Sequence, residues 1–161
     1  MKIAVGGDHA GFPLKGPIVE LLKSWGYEVT DHGTHTPDPV DFPDIAQKVC
    51  QQLLDGEANR GIMVCGTGMG AAIAANKIPG IRAAVCHDVY SAHQCVEHDN
   101  VNVICLGAQI IGDKLAEDLL KAYLNAEFST EIHFRRRVQK LADLELQAAA
   151  RLLKQNPYIS A

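Results

Sequence analysis

The chain has 161 residues, 47% of them apolar and 21% charged, an ordinary globular composition that excludes a disordered or fibrous protein. Its formal net charge of -4 gives no basic field for nucleic acid or an anionic membrane, so the expected partner is a small molecule. The start, MKIAVGGDHAGF, leaves its apolar run after a few residues, so neither a signal peptide nor a membrane span is read there. Five cysteines with no CxxC and no zinc-like Cys/His spacing fit free thiols in a reducing cytoplasm.

In chain order, a first strand is predicted over Lys2–Val5, and Gly6-Gly7-Asp8-His9-Ala10-Gly11 turns it into a helix over Phe12–Trp25. A second strand over Tyr27–Thr30 leads through the loop Asp31–Pro43 to a helix over Asp44–Asp55. The third, fourth and fifth strands are expected at Gly61–Val64, Arg82–Val85 and Asn102–Cys105. Helices follow them at Gly70–Asn76, Ser91–Glu97 and Asp113–Leu124. Strand and helix alternating through short connections define an α/β class: a three-layer, doubly wound, five-stranded parallel sheet of Rossmann-like kind, in one domain.

An extra C-terminal helix is read over residues 134–154, with Val138, Leu141, Leu144, Leu146, Ala149, Leu152 and Leu153 at amphipathic spacing. No strand follows for it to cover, so a second subunit is the expected partner of that face.

In such sheets ligands sit beyond the carboxyl ends of the strands. One of those ends, in GIMVCGTGMGAAIAANK, places Cys65 at the close of an apolar strand, followed by Gly66-Thr67-Gly68-Met69-Gly70 at the mouth of a helix. Glycines let backbone N–H groups converge, and a helix N-terminus adds partial positive charge, so this turn is an anion cradle. It matches neither the dinucleotide fingerprint nor a P-loop. An ordinary thiol titrates near pH 8.5, and the helix N-terminus is expected to lower that value for Cys65. A thiolate beside an oxyanion cradle is equipped to remove a proton next to a carbonyl while amides hold the enediolate oxygen.

Asp8 and His9, at the end of the first strand, are candidate ligands for hydroxyls or an anion, with a helix cap as the alternative for Asp8. His98 stands at a helix end before the fifth strand, either as a proton carrier to a sugar ring oxygen or as a solvated terminal histidine. His32, His35, His87 and His93 have no comparable spacing, and no metal site is read. Arg135-Arg136-Arg137 after His133 is a phosphate-matching cluster or a solvated charged face.

GGDHAGF, DFPD at Asp41–Asp44, CGTGMGAAIAANK, GIRAAVC, EHDNVNV, LGAQIIG and RRRV, in this order, resemble the ribose-5-phosphate isomerase B and galactose-6-phosphate isomerase family over nearly the whole chain. The resemblance implies aldose–ketose isomerisation of a sugar or sugar phosphate, ribose 5-phosphate first. It implies a homodimer, paired further in some members to a tetramer, with active sites built from both subunits and no metal or organic cofactor. By the same resemblance Cys65 is the base moving a proton between C1 and C2, and Thr67 with the Gly66, Gly68, Met69 and Gly70 amides stabilises the enediolate. His98 opens the furanose ring, Asp8 binds sugar oxygens, and His9 with a partner's tail arginine holds phosphate.

Three departures bear on the substrate. His98-Asp99-Asn100 stands where the family often has His-Asn, exchanging an amide for an acceptor-only carboxylate at Asp99. Gln109 replaces an arginine common after the fifth strand. The Arg-His pair before the terminal arginines appears instead as Ile132-His133 or His133-Phe134, depending on a one-residue gap that leaves both Arg136 and Arg137 matched to the last phosphate arginine. The proton-transfer half of the family pattern is intact, and the phosphate-gripping half has lost positive charge. Another pentose, hexose or tetrose is therefore the competing substrate. A non-enzymatic anion- or nucleotide-binding module and a thiol redox protein are the competing classes, the latter without a visible resolving cysteine.

Overall fold

The structure is a computed structural model that describes residues 1–155. Five parallel strands, β1 (Lys2–Gly7), β2 (Glu28–Asp31), β3 (Arg60–Cys65), β4 (Ala83–Val85) and β5 (Val103–Gly107), form one sheet in the order β2-β1-β3-β5-β4. The helices are α1 (Phe12–Ser24), α2 (Phe42–Leu54), α3 (Met69–Ala75), α4 (Val89–Asp99), α5 (Asp113–Asn125) and α6 (Ile132–Gln155). This is the expected doubly wound sheet with an additional helix. α2 begins two residues earlier than read, since Pro43 suits a first helical turn, where its missing N–H costs nothing. α4 likewise starts earlier, capped by Asp88, whose carboxylate accepts the Ser91 N–H at 2.7 Å.

Met1–Phe128 forms one compact unit and the chain from Ser129 a second. Within the first, Ile3, Val5, Ile62, Val64, Ile104 and Leu106 face a core completed by α1, α4 and α5. The alternate residues Ala4, Met63, Cys65, Val103 and Cys105 face the other core, under α2 and α3. Two covered faces explain why the strands read as continuous apolar runs rather than as alternating patterns. In the second unit, α6 buries none of its residues, and Leu141, Leu144, Leu146, Leu152 and Leu153 remain exposed.

Strand order reverses between β1 and β3: β1 leads outward to β2, and β3 leads to the β5–β4 side. That switch point opens a crevice at the carboxyl ends of the two strands. Its walls are unusually close. A Cβ on Gly11 would lie 1.9 Å from the Val64 carbonyl oxygen, so only glycine lets the start of α1 sit against the end of β3. The Asp8 N–H donates to the same carbonyl at 3.2 Å, and the Gly7 N–H to Gly33 O at 2.6 Å, so backbone bonds pin the end of β1 on both sides.

Beneath it, the buried Lys15 ammonium donates to Asp31, whose second oxygen accepts the Gly33 N–H at 2.9 Å. Burial raises the Asp31 pKa, but the Lys15 hydrogen bond, the Gly33 amide and the Lys15 and His35 charges outweigh it and hold the carboxyl below its ordinary value.

Replacing Gly11 with Ala forces β1–α1 away from β3, and a loss of about 3 kcal/mol is expected in urea unfolding. A loss below about 0.5 kcal/mol would contradict the tight approach.

Candidate active site

β1 and β3 are neighbours in register, with Gly7 opposite Val64, so the next residues, Asp8 and Cys65, emerge side by side at the switch point. The Cys65 thiol donates to Asp8 Oδ2 at 2.9 Å. The other carboxylate oxygen, Oδ1, accepts the Gly11 N–H at 2.8 Å. Asp8 is thus held by both oxygens, one on the Gly11 backbone in the turn before α1 and one on the Cys65 thiol, and α1 itself starts after Gly11 without a side-chain cap. Both residues are buried, Asp8 at 4% and Cys65 at 9% exposure, which keeps water from competing for the shared hydrogen bond.

The turn after Cys65 has the expected form. Gly68 adopts a left-handed conformation (φ 81°), and a Cβ there would meet the Cys105 carbonyl oxygen at 3.2 Å. The Gly68 and Gly66 amides lie near the Cys65 sulfur and favour its charged form. The Thr67 hydroxyl is exposed at the rim and accepts the Met69 N–H at 3.4 Å. From behind, the loop after β5 braces the turn: Ala108 N–H donates to Cys65 O at 2.8 Å and Gln109 N–H to Gly66 O at 3.0 Å. Gly70 packs on the Phe42 ring, 3.1 Å from where a Cβ would stand.

The electrostatics correct one expectation. Burial raises the Cys65 pKa, the Asp8 hydrogen bond and charge raise it further, and the Gly68 and Gly66 amides only partly offset this. The thiol therefore titrates above its ordinary range, not below it. A buried carboxylate at hydrogen-bond distance outweighs the first amides of a seven-residue helix.

His9 is exposed, and its Nδ1 accepts the Val40 N–H at 3.3 Å, tying the first turn to the loop before α2. His98, Asp99 and Asn100 are not brought to Cys65 within one chain. They end α4, with Asn100 in a left-handed cap (φ 51°). The Asn100 carbonyl accepts Arg82 Nε at 2.7 Å, and the Val101 carbonyl accepts Arg60 Nη1 at 2.6 Å. β3 rises roughly 16 Å from Arg60 to Cys65, and Arg60 meets Val101 just past α4, so α4 ends toward the amino ends of the strands, away from Cys65. His133, Arg136 and Arg137 belong to the second unit, at the start of α6; Arg136 and Arg137 are exposed, and His133 pairs with Glu131 at 3.2 Å.

Two features escaped the sequence reading. His87, dismissed for lack of spacing, lies at the same edge as Cys65: its Nε2 accepts the Gly107 N–H at 3.0 Å, and Gly107 abuts the Thr67 backbone. Its place in the stretch just after the fourth strand was the available signal. A thiol partner also exists, but not for Cys65. Cys86 and Cys95 lie together in the core on the other face of the sheet, and the Cys95 thiol together with burial pushes the Cys86 thiol up. Among the described residues no group of three or more His, Cys, Asp or Glu side chains is arranged to hold a metal ion, and no helix is long and apolar enough to cross a membrane.

A buried thiol beside a carboxylate, on a glycine turn at the switch point of a parallel α/β sheet, is an arrangement chemically equipped for proton transfer next to an anion cradle. The chain belongs to the Ribose/Galactose Isomerase family, whose model matches residues 3–141, and is a sugar isomerase, an intramolecular oxidoreductase. It is 42% identical over 144 residues to ribose-5-phosphate isomerase B of Escherichia coli, covering 89% of this chain and 96% of that one. It is 44% identical over 129 residues to a D-erythrulose-4-phosphate isomerase of Pectobacterium atrosepticum, covering 80% and 85%. The structure of Clostridium thermocellum ribose-5-phosphate isomerase B superposes with a TM-score of 0.90 at 46% identity, over 92% of this chain and 99% of that one.

Proposed function

We propose that the chain interconverts ribose 5-phosphate and ribulose 5-phosphate, with Cys65 moving the proton between C2 and C1. The observation that carries this reading is the Cys65 sulfur, hydrogen-bonded to Asp8 and near the Gly66 and Gly68 amides at the mouth of the glycine turn. Removing the C2 proton sends its electron pair into the C1–C2 bond and the carbonyl pair onto O1. Thr67 and the amides from Gly66 to Gly70 meet the charge that develops there. A proton delivered to C1 by Cys65, with the O2 hydroxyl proton passing to O1, completes the ketose.

Ring opening is assigned to His98 of a second copy, because within one chain α4 ends toward the amino ends of the strands, away from Cys65. Asp99 and Asn100 of that copy would then face the sugar. A phosphate would draw on His9 and on Arg136, Arg137 and His133 of a second copy, since Lys15, the cation packed against Gly7, is committed to Asp31. The unburied apolar face of α6 supports the same homodimer, with pairing to a tetramer open to it.

One observation favours a second substrate. A relative at 44% identity is a D-erythrulose-4-phosphate isomerase, and Gln109 brings a neutral amide against Gly66, its Oε1 3.2 Å from where a Cβ would stand. A shorter sugar phosphate is therefore the alternative, with the same chemistry.

Assaying tetrose, pentose and hexose phosphates and their unphosphorylated sugars tests the reading. The highest kcat/KM is expected for ribose 5-phosphate, and Cys65→Ala should lower turnover at least about a thousandfold while still binding substrate. Preference for a tetrose phosphate would move the assignment to the alternative, and full activity of Cys65→Ala would end the isomerase mechanism.

Mixing inactive Cys65→Ala and His98→Ala chains tests the shared site. Random exchange makes half the dimers hybrid, each with one intact site of two, so activity should recover to about one quarter of wild type. No recovery after proven exchange would place both groups in one chain's site.

A further inference from the structure

The proton transfer assigned to Cys65 meets an obstacle in the site's own electrostatics. Burial and Asp8 hold the thiol in its neutral form, and a neutral thiol is no base. The same neighbour supplies the remedy. Asp8 Oδ2 stands 2.9 Å from the sulfur as acceptor of its hydrogen bond, while Oδ1 is occupied by the Gly11 amide. The carboxylate cannot swing away, because the end of β1 is pinned to β3 and to the loop after β2.

We propose that Cys65 and Asp8 act as one base holding a single proton, with Asp8 Oδ2 receiving the thiol proton as the sulfur takes a proton from the sugar carbon. The proposal rests on the isomerase reading and gives Asp8 a catalytic role beyond binding sugar oxygens. In the step, the S–H bond breaks and an O–H bond forms on Asp8. The C2–H bond breaks, a new S–H bond forms, and the C–H electron pair enters the enediolate. The pair then holds two protons, one from the sugar and one exchangeable with solvent; sulfur delivers one of them to C1 and the other remains on the pair. No electron leaves the pair and no co-reactant is consumed.

The pair carries one negative charge before and after the internal transfer, so no net charge enters a buried site. The sulfur left behind is a strong base, because it forms beside groups that disfavour thiolate, and the Gly66 and Gly68 amides already lie near it. The competent state is defined by the proton count of the pair, not by a free thiolate in equilibrium with solvent.

The neighbouring titratable groups are placed by other contacts. Lys15 on α1 pairs with Asp31 beside β2, His9 meets Val40, and His87 after β4 meets Gly107. Cys105 on β5 is fully buried, with its thiol well above its ordinary range, as is Cys50 of α2 at about 11.

The test compares two pH profiles of the wild-type enzyme between about pH 7 and pH 9, where an ordinary thiol begins to ionise. The first is the turnover of substrate deuterated at C2, restricted to the isotope-sensitive step. The second is the thiolate absorbance of Cys65, taken as the difference from Cys65→Ser. A shared proton predicts turnover constant within about twofold while the thiolate fraction climbs about tenfold per pH unit. In Asp8→Asn, which keeps the shape but cannot take a proton, turnover should instead follow the thiolate curve of that variant, with the effect in kcat rather than KM.

Wild-type turnover that climbs in step with thiolate would overturn the proposal and leave the isomerase reading standing. So would an Asp8→Asn enzyme with wild-type kcat and only a raised KM. Absence of isomerisation with every sugar phosphate would overturn the reading and this inference with it. The wild-type profiles decide even if Asp8→Asn does not fold.

Discussion

The contact between the start of α1 and the end of β3, where Gly11 lies against the Val64 carbonyl, is the constraint on which the site depends. It brings the first turn after β1 over the last residue of β3, and the Asp8–Cys65 hydrogen bond follows from it. The switch point of a doubly wound sheet would open a crevice in any case, since β1 and β3 send their connections in opposite directions. What this sequence adds is how tightly that crevice closes: only glycine fits at position 11, and the Asp8 backbone bonds to the strand it faces.

The local electrostatics follow from the same closeness. A cysteine at a helix N-terminus with nothing else nearby would be a ready thiolate and a correspondingly weak base. Here a buried carboxylate faces the sulfur, and burial together with that carboxylate disfavours the thiolate. The amides of Gly66 and Gly68 remain in place for the moment when charge moves to sulfur or to the substrate oxygen. A proton-transfer site that must take a weakly acidic C–H proton gains from a base that is strong when formed and absent otherwise.

Much of this was legible in the sequence. The five apolar runs and their intervening helical patterns gave the sheet, and Cys65 with its glycine turn was recognisable because chemistry-bearing residues ended a strand. Asp8 was found for the same reason, but its partner was not: a contact across 57 residues depends on strand order, which no local pattern states. The sign of the Cys65 shift was misread for that cause, as the helix N-terminus is visible in the sequence and a carboxylate from another strand is not. His87 and the Cys86–Cys95 contact were hidden likewise, since each is made by neighbouring elements folding together. His98 shows the converse: its chemistry was legible, but its place toward the amino ends of the strands is a property of where α4 must end before β5 begins.

The central claim is that the sugar proton passes through a solvent-exchangeable group at Cys65. Running the interconversion in heavy water and following the sugar by NMR tests it directly. The account predicts deuterium at C1 of the ketose and at C2 of recovered aldose with the wild-type chain, and neither with Cys65→Ala. Full turnover without deuterium at either carbon would contradict a solvent-exchangeable carrier at Cys65.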